Sequence, residues 1–428
     1  MPKASLLLVT VGNISTAAAQ WYLVWLFARQ DGPTAVGQYS TLIAALTPVF
    51  ILSQLGLRNL YLTLQARVRW SVYLGVRICG AAVAAGIGLL VLGLVVSELS
   101  WPMAAAVLVI KLCDTIADLF FARLQRAERL RAFGLILIGS AVVTAVTVTL
   151  VMAVTGSVVS ALWGVAGTAL LVAVVTAVLG QRAPAPDRAA GDDRPSDSAS
   201  TGTEVRTLLT AGLPLSLMQG IYSLTSYAPL GVVALFGTAD DVGRYASAAY
   251  LVVFANLVGA SVETVMLPIY RRLHEDPAAP PLLRTSLLRG GIISGALSPL
   301  IIVALVVGSP LLVAVYGDAF ALSAPAIGML ALAAVITVPT YLLSATLLVL
   351  NRYWATTFVG AFSVAVALLS GGIAGAVGMP AVEAGCLALL CGSVGRYAGE
   401  LLLAWLPAGP ARRLDPVADP VPSQGGRG

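Results

Sequence analysis

The sequence predicts an all-α integral membrane protein: twelve transmembrane helices in two six-helix bundles, related as a parallel repeat around a central cavity. Three observations carry that expectation. The 428 residues are 58% hydrophobic and only 11% charged, with a mean hydropathy of +0.92, whereas soluble domains carry about a quarter charged residues. The apolar residues fall in runs of about 20, the length a helix needs to cross ~30 Å of hydrocarbon. Strand-like alternation is absent, so helices are the spanning form and a barrel is excluded.

Residues 4–28 form the first apolar run, which is too long for a signal-peptide core and has no small-residue cleavage site after it. Further spans are expected at about 36–57, 73–95, 101–121, 132–154 and 157–179. A second set follows at about 209–236, 242–267, 286–307, 324–350, 355–375 and 382–406. The expected organisation is a bundle over 1–180, a linker over 181–206, a second bundle over 207–406 and a disordered tail over 407–428. The linker and tail are dense in Pro, Ser, Asp and Gly and lack apolar periodicity.

Loop charge sets the orientation. With the amino terminus inside, the inner loops collect Arg58, Arg69, Arg123, Arg126, Arg129, Arg131, Arg182, Arg271, Arg272 and Arg352. The outer loops hold mainly Glu98, Asp240, Asp241 and Asp318, with Arg29 and Arg244 as exceptions. This positive-inside pattern predicts that both termini face the cytoplasm. It also accounts for the net charge of +5, so the basic character is no sign of a nucleic-acid partner.

A faint internal repeat supports the six-plus-six division. Val36-Gly37-Gln38-Tyr39 opens the second span and Val242-Gly243-Arg244-Tyr245 opens the eighth. The fourth span exits through Leu124-Gln125-Arg126, the tenth through Leu350-Asn351-Arg352. Transporters built from two such halves hold substrate between them and alternate access by rocking.

Residues 36–62, VGQYSTLIAALTPVFILSQLGLRNLYL, resemble the second-helix signature of bacterial polysaccharide and O-antigen flippases, with a G-x-Y start and an L-G-L exit. Residues 208–271 resemble the same family's seventh and eighth helices, ending in P-x-Y-R, and 311–326 its short outer loop before helix ten. The family belongs to the multidrug/oligosaccharidyl-lipid/polysaccharide export superfamily. The resemblance implies two six-helix bundles in a bacterial plasma membrane. It also implies transport of polyprenyl-(pyro)phosphate-linked oligosaccharide from the inner to the outer leaflet, beside other polysaccharide-assembly membrane proteins and membrane lipids. It implies no cofactor, and it transfers no invariant residue set.

The residues themselves nominate sites. Lys111, Asp114 and Asp118 sit inside an apolar span, at spacings that place them along one helix face. A charge near the bilayer centre costs about 2.5–3.5 kcal/mol on insertion scales and normally faces a bundle interior or a cavity. Lys111 is expected to attract substrate phosphate or acidic sugar, with Asp114 and Asp118 holding a coupling proton or sodium. The alternative is an internal Lys111–Asp114 ion pair that positions the helix. The repeat matches these three with the uncharged Thr337, Thr340 and Ser344, so one half alone carries the charges.

Arg58 and Glu263 lie at almost corresponding inner positions and form a candidate gate pair for the outward-open state, snorkelling of both being the bland alternative. Arg396 is a second candidate cation for substrate, although Glu400 one turn on is a local partner. Arg77 reads as an interfacial anchor. Gln20 and Asn13 on the first span, with Gln219, Tyr222, Ser226 and Tyr227 on the seventh, suit a sugar headgroup or interhelical hydrogen bonds.

Other classes lose ground. His274 is the single histidine, which leaves no His-based metal site or catalytic triad, and the four cysteines lie in apolar runs without paired spacing. No Walker A motif occurs, and the outer loops are too short to carry a glycosyltransferase site. No enzymatic activity is expected. The nearest rival is a cation-coupled multidrug exporter of the same superfamily, kept alive by Asp114, Asp118 and Glu263.

Overall fold

The computed structural model describes residues 3–63, 68–95, 100–182, 200–276, 280–350 and 352–406, and every element among them is helical. The expected linker core and tail lie outside the described residues.

The chain opens with α1 (Lys3–Ser53), whose 51 residues are far longer than one crossing needs. Gly32, at φ 71° and ψ −161°, breaks it, and Pro33 restarts the helix, where a fixed φ and a missing N–H cost nothing. The first two expected spans therefore run as one kinked stretch. A second break follows at Leu55 and Gly56, both left-handed (φ 50° and 55°), before the short α2 (Leu57–Thr63). Next come α3 (Trp70–Val95), α4 (Trp101–Arg126), α5 (Leu130–Thr155) and α6 (Val158–Gln181). Gly156, in the left-handed conformation, closes α5, and the Ser157 side chain caps α6.

In the second half lie α7 (Thr201–Phe236), α8 (Ala239–Glu275), α9 (Leu282–Leu297), α10 (Pro299–Tyr316), α11 (Ala324–Val349), α12 (Tyr353–Ala376) and α13 (Ala381–Trp405). A capping box between Thr238 and Asp241 starts α8. The expected ninth span is split by Pro299 into α9 and α10. Residues 201–206, expected to be linker, are helical: Ser200 caps α7, and Glu204 takes both its oxygens to Nε of Arg69 at 3.1 Å. That ion pair ties the start of the second half to the loop before α3.

Nine stretches among the described residues are long and apolar enough to cross a membrane. The helices α4 and α7 fall outside that set because α4 carries Lys111, Asp114 and Asp118, while α7 is dotted with Gln219, Tyr222, Ser223, Thr225, Ser226 and Tyr227. Large apolar side chains such as Leu94, Val154, Ile302 and Phe358 are exposed on the outside, as a lipid solvent permits.

The matched G-x-Y segments meet face to face. A methyl group added to Gly37 would collide with the carbonyl oxygen of Ala239, and one added to Gly243 with that of Pro33. Gly37 corresponds to Gly243 and Pro33 to Ala239, so the two contacts are one contact repeated about a local twofold axis. On that axis Thr34 Oγ1 donates to Asp240 Oδ1 at 2.5 Å, another matched pair. Nearby, Trp25 Nε1 and Arg29 Nη2 donate to the carbonyls of Val315 and Ala314 at the end of α10, both at 2.9 Å, satisfying carbonyls the helix leaves orphaned. This end of the molecule is closed by backbone contact, which only glycine allows.

The amino-terminal half of α7 leans instead on the first half of the chain. Leu208 is fully buried with Leu57, Leu60, Tyr61, Tyr73 and Leu119, and a Cβ on Gly212 would strike the Leu55 carbonyl. The carboxy-terminal half of the same helix buries Leu230 and Val233 against Val242, Tyr245 and Cys386. One helix thus joins both groups.

Replacing Gly37 or Gly243 by alanine is expected to prise the α1–α8 contact apart. Spin labels beside the Gly32 bend of α1 and at the start of α8 should report a longer or broader distance distribution, and an unaltered distribution in both variants would refute the glycine contact as the closure.

Candidate functional site

Two charged clusters lie beside positions that the sequence repeat matches, Asp118 and Ser344. In the first, Asp118, two turns from the end of α4, takes Arg58 Nη1 at 2.8 Å on one oxygen and Arg77 Nη2 at 3.2 Å on the other. Arg58 sits in the first turn of α2, placed there by the left-handed step at Leu55-Gly56. Its other nitrogen reaches Gln125 Oε1 at 3.4 Å, and the guanidinium rests over the Phe133 ring. Arg77 lies two turns into α3 with a fully buried side chain, and its Nε and Nη1 have no partner among the described residues. The two arginines and Asp118 line a cavity of about 430 Å³ with Gln54, Asn59, Gln125 and, from the second half, Gln219.

The second cluster is sealed. Arg396 Nε pairs with Glu400 Oε1 at 3.0 Å one turn along α13. Ser344 Oγ donates to Glu400 Oε2 at 2.7 Å, and Arg396 Nη2 reaches the same hydroxyl at 3.3 Å. The rings of Tyr222 and Tyr341 sandwich the guanidinium at 5.1 and 5.3 Å, within cation–π range. Beside it lies a smaller cavity of about 80 Å³, lined by hydroxyls of Thr225, Ser226, Thr337, Thr340, Ser363 and Ser393 and by Asn256.

The Asp118 and Ser344 positions correspond in the repeat. Each half therefore recruits arginine to the same place, but the carboxylate comes from α4 in one half and from α13 in the other. The exposures differ: 34% and 22% for Arg58 and Asp118, against 14% and 1% for Arg396 and Glu400. Exposed pairs are worth about 0–1 kcal/mol, whereas breaking a buried pair costs about 3–5 kcal/mol. The second cluster is thus a structural lock; in the first, Arg77 is fully buried while Arg58 and Asp118 are partly open to the cavity.

The remaining residues nominated from sequence are dispersed. Lys111 and Asp114 have no hydrogen bond or ion pair among the described residues, so the Lys111–Asp114 pair is not formed; Asp114 is exposed and Lys111 half-buried. Asp114 lies within electrostatic reach of Lys111, Asp118 and Tyr39. Arg58 and Glu263 are not brought together: Arg58 is held by Asp118, while Glu263 faces Arg396 and Glu400. Gln20 is exposed on α1 and lines neither cavity. Gln219 lines the larger cavity, and Tyr222 stacks on Arg396.

Arg77 is corrected from interfacial anchor to buried partner of Asp118. Its signal was available, since a charge two turns inside an apolar helix is the same feature that singled out Lys111. Gln54, Asn59 and Gln125 were missed because isolated amides near helix ends carry no pattern.

The class these features define is a multi-pass helical membrane protein with polar cavities inside it. Solved structures with a similar fold include transporters of the MOP superfamily. An inward-facing multidrug resistance MATE family transporter matches with a TM-score of 0.64 at 13% identity, over 92% of this chain and 93% of that one. The lipid II flippase MurJ in an inward closed conformation matches with a TM-score of 0.70 at 10% identity, over 93% and 87%. An outward-facing MATE family transporter matches at 0.60 and 13%, over 94% and 95%. No protein-family model matches the sequence, and no curated protein does either. The likeness establishes the fold.

Glu400→Gln leaves a buried guanidinium without its counter-charge and is expected to lower the unfolding midpoint of the detergent-solubilised protein by several degrees. Ser344→Ala removes one charge-assisted hydrogen bond and should cost less. A Glu400→Gln midpoint equal to wild type would remove the cluster's structural role.

Proposed function

We propose that the chain is a flippase moving a polyprenyl-(pyro)phosphate-linked oligosaccharide from the cytoplasmic to the outer leaflet of a bacterial plasma membrane, for cell-surface polysaccharide assembly. It would cross the membrane twelve times with both termini inside, and work by alternating access between its two halves. The observation that carries this reading is the charge of the larger cavity. Arg58 and Arg77 share one carboxylate there, a local excess of positive charge. Such a cavity suits an anionic diphosphate headgroup and repels a cationic drug. The depth fits as well: Asp118 lies eight residues before Arg126 at the end of α4, about 12 Å at 1.5 Å per residue. With the expected orientation, that is just inside the inner headgroup layer. The likeness to MurJ and MATE structures supports the scaffold and leaves the substrate to this chemistry.

One observation favours the cation-coupled multidrug exporter. Asp114 and Glu263 form no salt bridge among the described residues, and carboxylates in that condition suit proton or sodium exchange. In the flippase these same groups would hold the coupling ion.

Purified protein in liposomes should expose a labelled polyprenyl-pyrophosphate sugar on the far leaflet. Lys111→Ala should slow this by about tenfold, the worth of one charge-assisted hydrogen bond. Efflux of a cationic dye without any movement of the lipid-linked sugar would replace the flippase by the exporter.

A further inference from the structure

Asp118 is an unusual counter-ion. One carboxylate spans two guanidiniums from two different helices, one oxygen to each. It does so beside a cavity of about 430 Å³ rather than in packed protein, although an enclosed pair is what burial of Arg77 calls for. Arg77 also keeps two N–H groups without partners, and buried donors of that kind are normally satisfied by a ligand or water. Four amides, Gln54, Asn59, Gln125 and Gln219, complete the wall. Two forked guanidiniums with amide donors around them are the equipment for binding phosphoryl oxygens. The matched half shows what the same position looks like without that task. There Ser344 replaces the aspartate, and the arginine is closed off by Glu400 and two tyrosine rings.

We propose that Arg58 and Arg77 form a phosphoryl-binding site in which Asp118 is a resident stand-in, holding the place of the substrate's phosphate until the substrate displaces it. The inference rests on the flippase reading for its lipid-borne ligand, and it changes the role of Asp118 from ion carrier to competitor. In the empty protein Asp118 neutralises one of the cavity's two positive charges and keeps both arginines aimed. An arriving diphosphate offers more acceptor oxygens and more charge than one carboxylate, so it takes the arginines and leaves Asp118 facing the cavity. A lone carboxylate or a neutral lipid does not outbid it, which gives selectivity. Gln219 brings α7 to the same cavity, so ligand there touches both halves of the molecule.

The test is binding of inorganic pyrophosphate to the full chain in zwitterionic nanodiscs, followed by calorimetry. Asp118→Asn removes the competitor and should tighten binding by about tenfold, while Arg58→Gln and Arg77→Gln should each weaken it by at least as much. Asp118→Ser, the residue type of the matched position, gives the same prediction with a smaller side chain should the Asn variant fold poorly. Weaker binding in both folded Asp118 variants would show that the aspartate only positions the arginines, and would overturn the proposal. Displacement of pyrophosphate by a polyprenyl pyrophosphate supports a lipid-borne ligand; equal displacement by phosphatidylglycerol means the site takes any anionic headgroup and overturns the assignment. The two readings fail separately. Pyrophosphate binding as described with no sugar-lipid movement in liposomes refutes the flippase alone, and movement without pyrophosphate binding refutes the stand-in alone.

Discussion

A guanidinium cannot sit alone in a hydrocarbon interior, and Arg77 sits there with its side chain fully enclosed. The cost of leaving it unpaired amounts to several kcal/mol, so Asp118 has to be where it is. That single requirement fixes much else. It draws α3 and α4 together at that depth, it sets the rotation of α4 about its axis, and through the second oxygen it claims Arg58 and with it the start of α2. The apolar packing around these helices, including Leu57, Tyr73 and Leu119, could slide or rotate at modest cost. The ion triplet holds its place until another anion replaces Asp118.

The repeat shows how differently one constraint is met. Both halves place arginine beside matched positions of α4 and α11. The second half closes its arginine with a carboxylate on the same helix, a serine and two aromatic faces. The first half leaves its arginines beside open space with donors to spare. The matched positions carry different charge patterns, and the half with the less satisfied polar groups is where a ligand gains most.

Helix positions were legible in the sequence because hydropathy in a membrane is a one-dimensional quantity. The segments at 73–95, 101–121, 324–350 and 382–406 each coincide with a helix to within a few residues, apart from the inner extension of α4 to Arg126. The start of α7 was not legible: residues 201–206 are mostly polar, and the Ser200 cap together with contacts to a distant loop, Arg69 with Glu204 and Thr201, holds them helical. Partner choice was harder still. Helical spacing put Lys111, Asp114 and Asp118 on a common face correctly enough to bring Asp114 within reach of both others. Spacing says nothing about neighbouring helices, however, and it was α2 and α3 that took Asp118. Arg396 and Glu400, one turn apart on one helix, were predictable for the opposite reason.

The shared helix α7 connects these local facts to movement. Its amino-terminal half is anchored to the first group by Glu204, Leu208 and Gly212, its carboxy-terminal half to the second by Leu230 and Val233. Pro214 and Pro229 lie within it, each removing a backbone hydrogen bond and making a bend cheaper. Between those anchors come Gln219, on the wall of the arginine cavity, and Tyr222, against Arg396. Any motion that separates the two groups at the inner end must therefore either break the Arg69–Glu204 pair or bend α7 near its prolines. Bending is the smaller cost, because it exposes no buried charge. It would also carry Gln219 away from Arg58 and Arg77 while leaving Tyr222 on Arg396. The cavity of the first half would then open as the lock of the second stays shut, an asymmetry that the two charge clusters already contain.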